Sequence, residues 1–390
     1  MAWCENAHGY SLYLAVCTLI GSFPYLGAIG RLLDSWIART FLLLQGPLLA
    51  STLLAVQPSL SIDRYIEFVK SFLVLLLIPV LIQEQEELKR LILIIAVSVG
   101  AIGLKFGGYG VAHSGVILIN GYGGQMSDNN LVGLALAMII PLCWYERMLT
   151  ENKLLRNALL VIASVSIGAV IMTNSRGSSL ALAFVFLCIV SRSRRKLGIV
   201  VMLALVAGAA VYSVRDQYVN RMSTIAHYED ERSAASRVEF AQAAMNMWLD
   251  HPLFGVGFGG LNFIALVPRY LGREDDHVVH NTYVQMLVDS GIFALLLYLV
   301  LLWGTILWLG VQIRKLKNSY SQLATMAIGL QISLIAFAIG GTFYSSQRYD
   351  LPYIVLLCCA AWELVRKNHP QPEALNQEPP VSAEIPASIS

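Results

Sequence analysis

Asn174-Ser175-Arg176-Gly177, Ser236-Arg237-Val238-Glu239 and Val279-His280-Asn281-Thr282-Tyr283 set two arginines and one histidine at the margins of apolar segments. A guanidinium stays charged at any physiological pH and grips phosphate through paired hydrogen bonds. A neutral imidazole can take a proton from a hydroxyl. Cations that an apolar scaffold does not need are a functional signal. Phosphate binding beside proton abstraction is the chemistry this set could perform.

Each residue also has a plainer reading. Arg176 lies in a short polar turn, where an arginine can simply snorkel to lipid phosphates. A helix start expected at Ser178 or Ser179 adds N–H donors and a positive dipole, which suit a phosphate. Ser236 and Glu239 have capping-box spacing, which puts Arg237 at the opening of an amphipathic helix. Phe240, Ala244 and Met247 or Trp248 form its apolar stripe, and His251-Pro252 ends it. A lid carrying a solvated arginine has the same pattern. The stretch Gly255-Val256-Gly257-Phe258-Gly259-Gly260 has no strand before it and no helix signal after it, so it is not a nucleotide loop. It suits a backbone turning tightly against a bundle.

His280 precedes a helix for which Asn281 or Thr282 is the expected N-cap. The helix dipole there favours the neutral ring. An interfacial histidine bonded to lipid or loop is the plainer alternative. Asp275, Asp276 and His277 match no metal-site spacing, and acidic loop residues are ordinarily solvated, so no metal is expected. Lys70 sits inside an apolar run, with Glu67 three residues earlier as its expected partner.

A membrane must position these residues. Of 390 residues, 56% are hydrophobic and 13% charged, and the mean hydropathy is +0.63. Those values exclude an ordinary soluble domain and predict an all-α polytopic membrane helix bundle. Crossings are expected near 11–30, 38–56, 66–82, 91–106, 129–145, 157–173, 178–190, 197–214, 281–312, 322–344 and 351–365, about 11 in all. The first is interrupted by Pro24, and the ninth is too long for one perpendicular crossing. Cys17, Cys143, Cys188, Cys358 and Cys359 lie in apolar runs without Cys-x-x-Cys spacing and are expected as small core residues.

Lysine and arginine in the short connections predict sidedness. Arg31, Arg39, Lys89, Arg90, Arg147, Lys153, Arg156, the run Arg192 to Lys196, Arg314, Lys315, Lys317, Arg366 and Lys367 fall on one side, the expected cytoplasm. The connections 57–65 and 107–127 are almost free of base. The expected organisation is an N-terminal bundle over 1–214, an extracytoplasmic loop region with an amphipathic helix over 215–279, C-terminal membrane helices over 280–368 and a disordered cytoplasmic tail over 369–390. No cleavable signal peptide is expected. The first residues come out extracytoplasmic, which predicts a missing upstream helix or a miscounted first span. No internal repeat of the transporter kind is found.

The ordered set Ser236-Arg237-Val238 through Trp248, His251-Pro252-Leu253-Phe254-Gly255-Val256-Gly257, His280-Asn281-Thr282-Tyr283 and Asp289-Ser290-Gly291 resembles the O-antigen ligase/polymerase (Wzy_C-type) superfamily. Asn174-Ser175-Arg176-Gly177 resembles its upstream arginine turn. Glu87-Leu88-Lys89-Arg90, Gly103-Leu104-Lys105-Phe106-Gly107 and Ser127-Asp128-Asn129-Asn130 with Pro141 resemble the branch of O-glycosylation ligases associated with exosortase systems. The resemblance implies a metal- and cofactor-independent inverting glycosyltransferase in the bacterial inner membrane, with its site facing the periplasm. Its donor would be an undecaprenyl-diphosphate-linked glycan, and its acceptor a lipid, glycan or protein hydroxyl. Arg176 and Arg237 would bind the diphosphate, His280 would activate the acceptor, and Asn281 and Tyr283 would position. Membrane lipids, and no nucleic acid, are the other expected partners. A polymerase, a protein O-oligosaccharyltransferase and, from another class, a lipid-glycan or anion transporter are the alternatives.

Overall fold

The computed structural model describes residues 10–112, 128–173, 175–193, 229–316 and 321–368, with isolated positions between 196 and 208. Asn174, most of the expected crossing 197–214, residues 215–228 and the tail 369–390 lie outside the described residues. The chain is an all-α polytopic membrane bundle. Its helices are α1 (Tyr10–Ser22), α2 (Trp36–Leu53), α3 (Pro58–Leu75), α4 (Leu77–Leu81), α5 (Gln85–Ala112), α6 (Asn129–Leu149), α7 (Lys153–Met172), α8 (Arg176–Arg192), α9 (Glu229–Asp250), α10 (Leu261–Leu271), α11 (Thr282–Leu299), α12 (Thr305–Leu316), α13 (Ser321–Gly340) and α14 (Asp350–Asn368).

Five helical segments among the described residues are long and apolar enough to cross a bilayer: Gln85–Tyr109, Asn129–Leu149, Lys153–Met172, Thr282–Leu316 and Gln322–Gly340. The expected first crossing is a bent pair, Ala15–Tyr25 and Gly27–Asp34, meeting at 93°. Pro24 sits at that bend, where its missing N–H and fixed φ disfavour a continuous α-helix. Other expected crossings fall on α2, on α3 with α4, on α8 and on α14, which are shorter or more polar.

α6 is buried on nearly every side, from Val132 to Cys143, and packs against α5, α7, α8 and α13. Small residues permit that density. A Cβ at Gly103 of α5 would lie 2.6 Å from Ser166 Oγ and 2.9 Å from Leu136 Cδ2. Close backbone approach at small residues is a main source of helix association where the hydrophobic effect is absent.

The long ninth segment solves its excess length by breaking. Gly291 has φ 77° and ψ −176°, a conformation open essentially to glycine alone, and a π-helical turn follows at Val300–Gly304. The carbonyls exposed at the break are taken up by the glycine-rich turn. Val256 N–H donates to Val288 O and Gly257 N–H to Asp289 O, both at 2.9 Å, and Ile292 N–H donates to Pro252 O at 3.0 Å. Gly255 has φ +70°, and a Cβ there would sit 2.5 Å from the Val288 and Asp289 carbonyl oxygens. The expected tight turn against the bundle is therefore what the glycines form. Contrary to expectation a helix does follow them: α10 starts immediately after Gly260, itself left-handed at φ +86°.

α9, the glycine turn, α10, Val279 and Val288 enclose a second apolar core around Phe240, Ala243, Ala244, Met247, Phe263 and Val267. The stripe expected on α9 is the face that packs there. Its start is not where the capping-box spacing placed it. The helix spans Glu229–Asp250. Arg237 is consequently within the helix rather than at its opening.

Candidate functional site

The turn bearing Arg176 is locked from two directions. Ser175 is the N-cap of α8, its Oγ accepting the Ser178 N–H, so the helix begins at Arg176 rather than at Ser178. Asn129 Nδ2 donates to Thr173 O at 2.9 Å and Ser178 Oγ donates to Asn130 O at 3.0 Å, stitching the turn to the start of α6. From the other side, the buried Tyr344 hydroxyl accepts the Ser178 N–H at 2.8 Å and pairs with Ser175 Oγ. Arg176 itself is exposed.

Tyr344 also reaches the histidine. Its carbonyl accepts from Thr282 Oγ1, two residues after His280. Thr282 N–H donates to Gly341 O at 2.7 Å, and Ser346 N–H donates to Thr282 Oγ1 at 3.1 Å. One residue thus joins the arginine turn to the start of α11.

Among the described residues, His280 is the sole non-glycine with positive φ, at 54°. That left-handed conformation costs about 1–3 kcal/mol and persists where the surroundings impose it. Here they do. Val279 before it is buried in the second core, with its N–H on Gln285 Oε1 at 3.3 Å. Asn281 after it caps α11, its Oδ1 accepting from Tyr283 N–H at 3.0 Å and Val284 N–H at 3.1 Å. The His280 ring lies 6.4 Å from the His277 ring, which lies 6.2 Å from Phe240, one helical turn beyond Arg237 on α9.

Charge ties these groups together. Burial lowers the His280 pKa; Arg237 and then His277 lower it further, and Asp128 opposes them. The helix dipole alone had suggested a neutral ring; the structure adds burial and the Arg237 guanidinium. Asp128, whose Oδ1 caps α6 through the Asn130 N–H at 2.9 Å, also acts on the buried Tyr344 phenol. Arg237 and His280 therefore share one electrostatic neighbourhood, and Asp128 and Tyr344 link it to the Arg176 turn.

The two positioning candidates are engaged in structure. The Asn281 carboxamide oxygen caps the helix, and the Tyr283 hydroxyl donates to Ala338 O of α13 at 2.8 Å. Asp275, Asp276 and His277 bring ligand atoms within 4.8 Å of one another. Asp275 accepts from the His277 backbone N–H at 3.1 Å and from its ring, and Arg273 Nε lies 3.8 Å away. The hydrogen bond from His277 is the main cause holding the Asp275 carboxyl below its usual range. A cation there would compete with His277 and Arg273 for Asp275.

Sequence reasoning gave no role to Asp128 or Tyr344. The polar stretch from Thr342 to Asp350 between two apolar segments was the available signal, obscured by extending the tenth crossing to residue 344; the helix ends at Gly340. It also paired Glu67 with Lys70. Glu67 Oε2 instead accepts from Arg64 Nη1 at 3.2 Å and from Arg348 Nη1 at 3.3 Å.

Residues 158–299 match the O-antigen ligase family, Wzy_C. The matched segment takes in Arg176, Arg237, His280, Asn281 and Tyr283, and it bears out the resemblance drawn from their motifs. Over 147 residues the chain is 26% identical to the teichuronic acid biosynthesis protein TuaE of Bacillus subtilis (strain 168). That alignment covers 37% of this chain and 29% of TuaE. Together with the apolar helices, the Wzy_C match marks a multi-pass membrane protein.

Proposed function

We propose that this protein is a membrane ligase that transfers a glycan from undecaprenyl diphosphate to an acceptor hydroxyl at the periplasmic face, with inversion and without a metal. The observation that carries the reading is the strained, half-buried His280 held in the field of Arg237, within a segment that matches Wzy_C. A neutral His280 nitrogen removes the proton from the acceptor hydroxyl. The acceptor oxygen bonds to the anomeric carbon from the face opposite the phosphate. The bond from that carbon to the phosphate oxygen breaks, and undecaprenyl diphosphate departs with the electron pair. Arg176 and Arg237 hold the charge it carries. Asn281 and Tyr283 position α11 rather than touching the reacting atoms. In this reading 1–214 and 280–368 are the membrane parts, 215–279 the periplasmic loop region and 369–390 the cytoplasmic tail. Outside that membrane no nucleoside triphosphate is at hand, which makes a preactivated lipid-linked donor the fitting one.

A product built of repeated glycan units, as a polymerase would make, has one specific support: the likeness to a protein of teichuronic acid biosynthesis. The deciding experiment uses the full chain in nanodiscs with an undecaprenyl-diphosphate-linked glycan. Acceptors are offered separately as lipid-linked oligosaccharide and as secreted protein. Covalent product is expected with the wild type and not with His280→Ala. Transfer by a His280→Ala, Arg237→Ala double variant at the wild-type rate would end the mechanism, and glycan translocation without covalent product would make the protein a transporter.

A further inference from the structure

Beside His280, and separate from its arginines, a cavity of about 520 Å³ opens between α3, the start of α6, the glycine turn and residues 345–350. Its size falls in the roughly 300–1,000 Å³ range of small-ligand sites. Arg64 and Arg348 stand on its wall with Glu67 between them, one carboxylate shared by two guanidinium groups. The other acid on the wall, Asp350, opens α14, where the helix start and the Ser71 hydroxyl at 3.3 Å stabilise its charge. Arg348 is half-buried: burial, then the neighbouring Arg64, lower its pKa, and Glu67 and Asp289 oppose them. Gln347 and Tyr349 also border the cavity, and Gln347 is fixed there, since its amide nitrogen donates to the buried Asp289.

The two guanidinium groups meet Glu67 through Nη1 and have further N–H donors to offer an anion on an occupant. An acidic sugar carries such an anion beside hydroxyl groups, for which Ser71 and Ser345 stand on the wall. We propose that this cavity is a glycan subsite for a sugar bearing a carboxylate or phosphate, adjoining the transfer site. The proposal rests on the glycan-transfer reading. Gln285 supports the adjacency: its Oε1 accepts both the Val279 N–H, next to His280, and the Ser345 hydroxyl on the cavity wall at 3.1 Å.

The test measures equilibrium binding to the full-length protein in neutral-lipid nanodiscs. The probes are a uronic-acid disaccharide, a sugar phosphate and the neutral disaccharide made by reducing the uronate. Wild-type protein is expected to bind the acidic sugars about tenfold more tightly than the neutral one, as one charge-assisted contact allows. Arg348→Gln and Arg64→Gln should each erase that preference. Glu67→Gln, which frees the guanidinium pair, should strengthen acidic-sugar binding, and it serves should the arginine variants not fold. Binding preference for uronate over sugar phosphate, or the reverse, identifies the anion. Equal affinity for acidic and neutral sugars, a preference untouched by either arginine variant, or weaker binding by Glu67→Gln overturns the proposal. So does displacement of the acidic sugar when phosphatidylglycerol replaces the neutral lipid, which would make the cavity a lipid-headgroup site. His280→Ala should retain acidic-sugar binding, so loss of transfer and loss of the subsite are read separately.

Discussion

The phenolic oxygen of Tyr344 accepts the Ser178 amide N–H at 2.8 Å, two residues after Arg176. The same residue's carbonyl holds Thr282, two residues after His280. A loop residue between α13 and α14 therefore sets the relation between two segments that lie about a hundred positions apart in the chain. Burial raises the Tyr344 pKa, so the group works as a neutral hydroxyl.

Tyr344→Phe keeps the ring packing and the carbonyl but removes the hydroxyl that accepts the Ser178 N–H at 2.8 Å, leaving that N–H to Ser175 Oγ alone at 3.2 Å. Loss of one such hydrogen bond costs about 0.5–1.5 kcal/mol. The expected outcome is a lowered thermal midpoint in detergent, together with a transfer rate reduced more steeply than donor affinity, because Arg176 is displaced relative to His280. Equal stability and rate in the two proteins would mean that the phenol does not organise the site.

The pH profile tests the charge arrangement around His280. Its folded pKa is lowered by burial, then by Arg237 and His277, and raised by Asp128. A base acts unprotonated, so activity is expected to persist below the ordinary histidine value of about 6.5 and to fall only on further acidification. Arg237→Gln removes a positive neighbour, so the acid limb of the residual activity should move to higher pH. Asp128→Asn preserves a capping side chain and removes the opposing charge, so its limb should move to lower pH. Stability has a matching sign. The unfolded chain binds this proton more readily than the folded one, so His280's contribution is present above the ordinary value and declines as pH falls. Shifts of both variants in one direction would contradict the arrangement.

Local chemistry was legible in the sequence, and distant pairing was not. Phe240, Ala244 and Met247 repeat at helical spacing, and they are the face of α9 that packs. Asn281 was a capping candidate and caps. Those signals depend on neighbours within one or two turns. Glu67 went to Lys70 on the same reasoning, whereas its second arginine, Arg348, comes from 281 residues away. Spacing carries no information about a partner at that range. The start of α9 was misplaced because Ser236 and Glu239 have the spacing of a cap inside a helix that spans Glu229–Asp250. The helix after Gly260 was missed because its N-cap is a left-handed glycine without a side-chain cap.

Gly291→Ala tests whether the break in α11 is required. Its φ and ψ are closed to alanine, and a Cβ would run into the Leu253 carbonyl and lie 2.5 Å from the Phe254 amide nitrogen. Backbone strain of about 1–3 kcal/mol, with the clash added, should yield protein that is poorly folded and aggregated in size-exclusion chromatography. Gly272→Ala is the control: Gly272 is also left-handed, at φ 67°, but nothing lies within 4 Å of its would-be Cβ. It should lose only the backbone term and stay monodisperse. Matching behaviour of the two variants would show that the contact with residues 253–254 is unimportant.

Asn281 separates a positioning role from direct contact with substrate. Its Oδ1 satisfies two N–H groups at the start of α11, and loss of such a cap costs about 1 kcal/mol. Asn281→Ala should therefore lower the thermal midpoint and the transfer rate together, with acceptor KM little changed, since the His280 backbone loses its anchor. Asn281→Ser restores a capping oxygen on a shorter side chain and should recover most of both. The split matters because a carboxamide that touched the glycan would not be replaced by a hydroxyl. Asn281→Ser that regains stability but stays as slow as Asn281→Ala would place the carboxamide on the substrate.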